Sequence, residues 1–420
     1  MDHNWKKNII LFLSGQTISL FGTALVQYAI MWHITLTTQS GVMMTISIVC
    51  GFLPTFFLSP FAGVWADRYN RKKLIILSDS FIALSTLILA ILFMNGYDAL
   101  WLLFVTSAIR ALGTAVQTPA VGAILPLLVP EDKLTKVNGV NGSIQALVML
   151  TAPMLSAALL TMASIEIIFL IDVVTAAIAV AILLLFVRVK THAKAAEQQT
   201  TSYFADMRKG FDYVKEHSYV KKFFLFMTFF MLLVAPAAFL TPLQVTRTFG
   251  EDVWRLTAIE IAFSIGMMLG GALIASWGGF SNKIHTMTLS CLMFGLCTVA
   301  LGVVPNFWIY IAFMGLAGVS MPLFNTPATV LLQEKVEVDY MGRVFGVMGM
   351  ISSVTMPMGM LVFGPLADVV DIEWLLIVSG ALLFIQAFFL LGNKSLVEAG
   401  KPVAKPETER EGEVGTTAKT

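Results

Sequence analysis

Four ionisable residues stand inside long apolar runs of this sequence: Asp79, Arg110, Asp172 and Glu260. If those runs cross a bilayer, a charge at mid-depth costs at least about 2.5–3.5 kcal/mol, so such residues are kept for a reason. A carboxyl withdrawn from water can load and release a proton near neutral pH, which suits it to proton coupling. Arg110 lies about eleven residues into its run and must face a cavity or a partner; the plainer reading is an ion pair within a bundle. Asp79, Asp172 and Glu260 lie nearer the ends of theirs, where a carboxyl can also reach the interface. A second constellation, Gly63, Asp67, Arg68, Arg71 and Lys72, follows an apolar run. A generic basic loop explains the cations but neither the acid among them nor the glycine four residues before it. A carboxylate placed there can dock on the N-terminus of another helix, which carries roughly half a positive charge.

Other chemistries lack their residues. There is no GxxxxGK loop for a nucleotide phosphate and no Gly-x-Ser-x-Gly elbow, and no Cys/His grouping has metal-ligand spacing. Cys50, Cys291 and Cys297 sit in apolar runs and read as small packing residues. A net charge of +1 gives no field for nucleic acid. The sequence therefore predicts neither an enzyme nor a cofactor or metal protein, and energy for any work must come from a gradient. One charge moving through 100 mV supplies about 2.3 kcal/mol, enough for a substrate gradient of roughly fiftyfold.

The elements that must position these residues are membrane helices. Of 420 residues, 57% are hydrophobic and only 13% charged, against roughly 25% charged in soluble chains. Runs of about 20 apolar residues place spans at 8–32, 42–66, 74–94, 99–122, 138–162, 164–187, 223–246, 255–279, 285–304, 307–331, 342–367 and 373–392. The first is too long for a signal peptide. With this layout all of the 27 Lys and Arg except Arg110, Arg247 and Arg255 fall in the N-terminus, the tail or the loops on the same side. Cytoplasmic loops are enriched in Lys and Arg, so both termini are expected in the cytoplasm of a bacterial inner membrane. The layout divides the chain into a six-helix half (1–188), a cytoplasmic linker (189–222) with an amphipathic stretch at Tyr203–His217, a second half (223–393), and a disordered tail (394–420).

The halves repeat. Gln117-Thr118-Pro119-Ala120 matches Asn325-Thr326-Pro327-Ala328 at an offset of 208, and Thr151-Ala152-Pro153-Met154 matches Thr355-Met356-Pro357-Met358 at 204. Two six-span repeats about an axis along the membrane normal predict an all-α major facilitator fold. Helix number then nominates residues for a central cavity: Phe52, Phe56, Phe239 and Phe324 as apolar lining, and Gln16, Gln27, Gln117, Gln145 and Asn325 as polar contacts.

On these residues the chain resembles the drug-exporting major facilitators, and most of all the bacterial macrolide-efflux proteins, over most of residues 5–395. The likeness is carried by Gly15-Gln16-Thr17-Ile18-Ser19-Leu20, Gly51-Phe52-Leu53-Pro54, Gly63 to Lys72, Leu127-Leu128-Val129-Pro130-Glu131, Gln333-Glu334-Lys335 and Gly342-Arg343-Val344-Phe345. It implies that Gly63, Asp67, Arg68, Arg71 and Lys72 form a conformational latch. In that reading Asp67 docks near Gly342-Arg343, at the start of the eleventh span, although Asn70 replaces the glycine usual at that place. It also implies a proton-coupling role for Arg110, whose Arg110-Ala111-Leu112-Gly113 resembles the family's fourth-helix motif; Glu260 is preferred among the acids. Ala152, Pro153, Ser156 and Ala157 stand where an antiporter motif has Gly-Pro and paired glycines, and keep its small residues for close packing. The function implied is proton-driven export of a macrolide. Tetracycline or siderophore export, nutrient import, and a transporter-like sensor or subunit working with a partner ATPase are the alternatives.

Overall fold

The computed structural model describes residues 5–130, 133–187 and 211–401; within them the side chains of Pro60, Asp67, Thr135, Val338, Asp339 and Gly342 lie outside the description. Among the described residues, twelve helical segments are long and apolar enough to cross a membrane. The first six are α1 (Trp5–Thr38), α2 (Gly41–Arg68), α3 (Arg71–Met94), α4 (Leu100–Leu128), α5 (Leu134–Met162) and α6 (Ile165–Leu185). The seventh is built from two helices, α7 (Ser218–Phe239) and α8 (Thr241–Phe249). The rest are α9 (Val253–Trp277), α10 (Lys283–Val303), α11 (Phe307–Lys335), α12 (Val338–Leu366) and α13 (Ile372–Gly392). Each overlaps a span read from the sequence.

The turns between helices follow from local chemistry. Asn70, Asn282 and Asn306 accept backbone N–H bonds at the starts of α3, α10 and α11, satisfying donors that a helix leaves free there. Prolines fall inside α4, α5, α11 and α12, and the repeated pairs Pro119/Pro327 and Pro153/Pro357 stand in corresponding helices. Membrane bundles tolerate such prolines because neighbouring helices satisfy the freed carbonyls.

Helix pairing repeats with the sequence. In the first half α2 packs on α4, α3 on α4 and α6, and α1 on α5 and α6; in the second α9 packs on α11, α10 on α11 and α13, and α7 on α12 and α13. The halves meet through α2 with α12 and through α5 with α9, again a symmetric pair. Close approach within a half depends on small residues: a Cβ on Gly318 would strike the Phe263 carbonyl, so α9 and α11 touch backbone to backbone.

The helix directions and contacts define two ends. At one, the start of α1 (Ile9, Phe12) clusters with the ends of α2, α4 and α6 and the start of α3 (Ala66, Ile75, Leu128, Leu183). The chain's last described helix, α14 (Lys394–Ala399), lies at this terminal end against α7 and α10. It stands where disorder was expected from residue 394. Asn393 caps it, Leu396 is buried, and Asn282 donates to the Val397 carbonyl at 2.8 Å, so a buried apolar side chain and a shared cap outweigh the polar composition. Residues 189–210 and 402–420, to which most of the linker and tail expectations refer, lie outside the described residues. Of the amphipathic stretch, residues 211–216 are helical; the buried side chain there is Tyr213, stacked on Tyr340 at 4.7 Å, while Phe211 is exposed.

At the far end the halves are closed on one another. Gly41 and Gly364 leave no room for a Cβ between α2 and α12, and Thr45 donates to the Met360 carbonyl at 3.0 Å. Toward the terminal end the same helices part. A Cβ on Gly63 of α2, Gly122 of α4, Gly139 and Gly142 of α5, or Gly346 and Gly349 of α12 would meet nothing within 4 Å. A cleft between the halves therefore opens at the terminal end.

Candidate functional site

Two polar centres occupy the interior of the first half. Arg110 of α4 pairs with Asp172 of α6 and donates to the Thr86 hydroxyl of α3; its other guanidinium nitrogen reaches the Thr23 carbonyl of α1 at 3.2 Å. Thr86 also donates to Asp172 at 3.1 Å. One cation thus ties four helices together. About two turns along α3 and α4, Ser19 of α1 donates to Asp79 of α3 at 3.2 Å, and Gln117 of α4 donates to the same oxygen. Arg110, Asp172 and Asp79 are 3%, 1% and 2% exposed. The demand that Arg110 face a cavity or a partner is met by a partner. Asp79 and Asp172 do not reach the interface, because both turn into the bundle rather than along it. One oxygen of each, Oδ2 of Asp79 and Oδ1 of Asp172, has no hydrogen-bond partner among the described residues.

Glu260 of α9 has a different setting. It is half-buried, makes no ion pair among the described residues, and lies within electrostatic reach of Tyr28 on α1 of the other half. Tyr28 packs against Trp32 with ring centroids 5.5 Å apart, and the buried Trp32 indole N–H has no acceptor among the described residues. A carboxylate of the second half therefore acts on a phenol of the first, beside a buried N–H donor left unused among the described residues.

The nominated cavity residues divide. Phe52 of α2 and Phe239 of α7 meet edge to face across the halves at 6.4 Å, with Phe56 half-buried one turn along. Gln16 and Asn325 are half-buried, and Gln27 and Gln145 are exposed. Gln117 is committed to Asp79. Phe324 is not a lining residue: it is fully buried and stacks on Phe230 at 4.0 Å inside the second half, because its side chain turns toward α7 rather than the cleft. Ala152, Pro153, Ser156 and Ala157 are buried, and the Ser156 hydroxyl donates to the Leu25 carbonyl of α1 at 3.1 Å. They form the tight α1–α5 contact.

Two basic members of the Gly63–Lys72 constellation, Arg71 and Lys72, bond within their own half. Arg71 donates to the Ala66 carbonyl at 2.9 Å and the Ala123 carbonyl at 2.8 Å, and Lys72 to the Val187 carbonyl at 2.8 Å. They staple the terminal ends of α2, α4 and α6, whose last carbonyls carry partial negative charge. Arg68 is exposed, and Arg343 lies over the Tyr340 ring at 5.4 Å. The backbone of Asp67 belongs to the last turn of α2.

Sequence reasoning missed Asp368, just past α12. It accepts from the Gly41 and Val42 N–H groups at 2.7 and 3.0 Å, from the Ser40 hydroxyl at 2.7 Å, and pairs with Arg247 of α8 at 2.9 Å. A signal was present: Gly364-Pro365-Leu366-Ala367-Asp368 repeats the Gly-x-x-Ala-Asp pattern of Gly63-Val64-Trp65-Ala66-Asp67.

Twelve membrane helices in two matching bundles around a cleft open at one end define a multi-pass membrane transporter. The chain belongs to the Major Facilitator Superfamily, whose family model matches residues 8–359 and 254–416. It is 31% identical to macrolide efflux protein A of Streptococcus pyogenes over 383 residues, 91% of this chain and 94% of that protein. It is 32% identical to macrolide efflux protein A of Enterococcus faecalis over 323 residues, 76% and 99% of the two chains. Among solved structures it resembles a point mutant of nucleoside transporter NupG, with a TM-score of 0.72 at 14% identity over 93% of this chain and 99% of that one. That likeness establishes the fold.

Proposed function

We propose that this protein exports a hydrophobic antibiotic of the macrolide class across a bacterial cell membrane in exchange for protons, with both termini in the cytoplasm. The likeness to macrolide efflux protein A over 91% of the chain supports the substrate class. The distribution of Lys and Arg supports the orientation. In that orientation the cleft opens to the cytoplasm, the side from which an exporter loads.

The observation that carries the coupling is the setting of Glu260 on α9, half-buried, without an ion-pair partner among the described residues and within electrostatic reach of Tyr28 in the other half. When the cleft opens outward, the carboxylate takes a proton from the outer medium. Once the halves have rocked, it gives the proton to the cytoplasm. The apolar Phe52, Phe56 and Phe239 supply an adaptable wall for a large lipophilic substrate. Arg110 acts at one remove: through Asp172 it holds α1, α3, α4 and α6 as one rigid body that can rock as a unit. Asp67 latches the halves when the cytoplasmic side shuts.

Expression in a macrolide-sensitive bacterium tests the reading. Resistance rises, a protonophore abolishes it, and Glu260→Gln removes it while the protein remains in the membrane. Resistance that persists in the presence of a protonophore contradicts proton coupling. A drug panel that raises tolerance to tetracycline alone contradicts the macrolide assignment.

A further inference from the structure

The contact that shuts the far end of the cleft is built around one carboxylate. Asp368 follows the last residues of α12, yet four of its bonds go to other elements: two to backbone N–H groups of the first turn of α2, one to the Ser40 hydroxyl, and one to Arg247 of α8. The first turn of a helix presents free N–H donors and the positive end of its dipole. Asp368 satisfies both from the opposite half of the molecule. Arg247 closes the arrangement by donating to the Ala367 and Gln39 carbonyls, and Gln39 donates in turn to Glu251. Residues 39–42 of the first half are thereby held by side chains of the second.

The α2–α12 pair is antiparallel, since α2 begins where α12 ends. Each helix carries Gly-x-x-Ala-Asp at its C-terminal end, Gly63 to Asp67 on α2 and Gly364 to Asp368 on α12. The same five-residue pattern thus recurs near the C-terminal ends of both helices, and at the closed end its aspartate stands on the N-terminus of α2. The two glycines stand in opposite settings in this state. Gly364 lies tight against Thr45 at the closed end, while Gly63 faces open space at the open end.

We propose that Asp368 is a second clasp, reciprocal to Asp67, which holds the halves shut on the side away from the termini, so that α2 and α12 are latched at one end or the other in alternation. The two clasps cannot both be made, because the rocking that brings one aspartate to its helix N-terminus withdraws the other. The reciprocity rests on the proposed role of Asp67; the clasp at Asp368 stands on its own bonds.

The test is thiol accessibility at the closed contact. Thr45→Cys in a Cys50→Ala background places a thiol under Gly364, at a site that is buried when the far end is shut. Intact cells are treated with a membrane-impermeant maleimide, and a tag on the C-terminus reports sidedness in parallel. With Asp368 present, labelling is slow. Asp368→Asn, close to isosteric but uncharged, raises the labelling rate by roughly fivefold through loss of the charge-assisted bonds to the helix N-terminus and Arg247. Asp368→Glu restores part of the protection, which a general packing defect does not allow. Asp67→Asn moves the rate the other way, and the double variant returns toward the starting value. An unchanged rate in Asp368→Asn overturns the clasp. An unchanged rate in Asp67→Asn beside an increased one in Asp368→Asn overturns the reciprocity and the role of Asp67 while leaving Asp368 in place. Labelling confined to inverted vesicles overturns the orientation, and the comparison of variants then runs from that side.

Discussion

Arg110 on α4 and Asp172 on α6 form an ion pair inside the first six-helix bundle, with Thr86 of α3 bonded to both and the Thr23 carbonyl of α1 closing the fourth side. The pair places a positive and a negative charge where neither could stand alone.

Removing one member of this pair strands the other. Breaking a buried ion pair from one side costs about 3–5 kcal/mol. Arg110→Ala and Asp172→Ala are therefore expected to lower the amount of folded protein in the membrane as well as resistance. The joint replacement Arg110→Met with Asp172→Leu recovers folded protein. Size-exclusion profiles of fluorescently tagged variants read this directly. Normal profiles with lost transport for Arg110→Ala would instead assign the arginine to coupling itself.

Asp67 is expected to behave differently. Asp67→Ala is expected to reduce resistance with unchanged membrane levels, because the proposed latch forms in the other state and Gly63, Gly346 and Gly349 near that end face open space in this one. Quantitative immunoblots beside drug-susceptibility curves check the split.

Gly364 offers a steric test of the same helix pair. A Cβ there would collide with Thr45, and overpacking a tight contact typically costs about 1–3 kcal/mol. Gly364→Val is expected to hold the far end ajar, so the Thr45→Cys thiol labels faster and export slows. Gly63→Ala, which faces open space in this state, leaves labelling near its starting value.

The pH dependence of the far clasp follows from Asp368. Burial by itself raises its carboxyl, but the hydrogen bonds from Val42, Gly41, Ser40 and Arg247 outweigh that and hold it below the ordinary carboxylate range. A lowered pKa contributes stability above the ordinary value, about 3.9 for Asp, and loses it only as the pH falls through the lowered one. The ratio of labelling rates between Asp368→Asn and the parent is thus expected to be the same at about pH 5.5 and about pH 7.5, both well above that ordinary value. A ratio that falls toward one at the lower pH contradicts a clasp that stays charged.

Much of this molecule was legible in its residues, for physical reasons. A bilayer leaves little choice about where twenty apolar residues go, so the twelve helices and their repeat could be read directly. The cost of a buried charge showed that Arg110 needed a partner. It did not show which one, because α4 meets α6 only through the fold. Phe324 was misplaced for the same reason: helix number names a pathway helix, but the direction of a side chain depends on packing, here against Phe230. The helical Lys394–Ala399 segment escaped because one buried leucine and a shared asparagine cap are weak signals within a polar tail. Asp368 was hidden by its position beyond a span, where an acid is ordinarily unremarked, although its Gly-x-x-Ala-Asp setting repeats that of Asp67.

Transport into everted membrane vesicles separates proton exchange at Glu260 from any other source of energy. A radiolabelled macrolide is supplied to vesicles carrying a pH gradient, acid inside, and uptake is followed as the gradient is collapsed. The parent protein is expected to accumulate the macrolide, and that accumulation disappears with a protonophore and is absent in Glu260→Gln. Accumulation that survives collapse of the gradient, or that Glu260→Gln supports at the parental rate, contradicts proton exchange at Glu260.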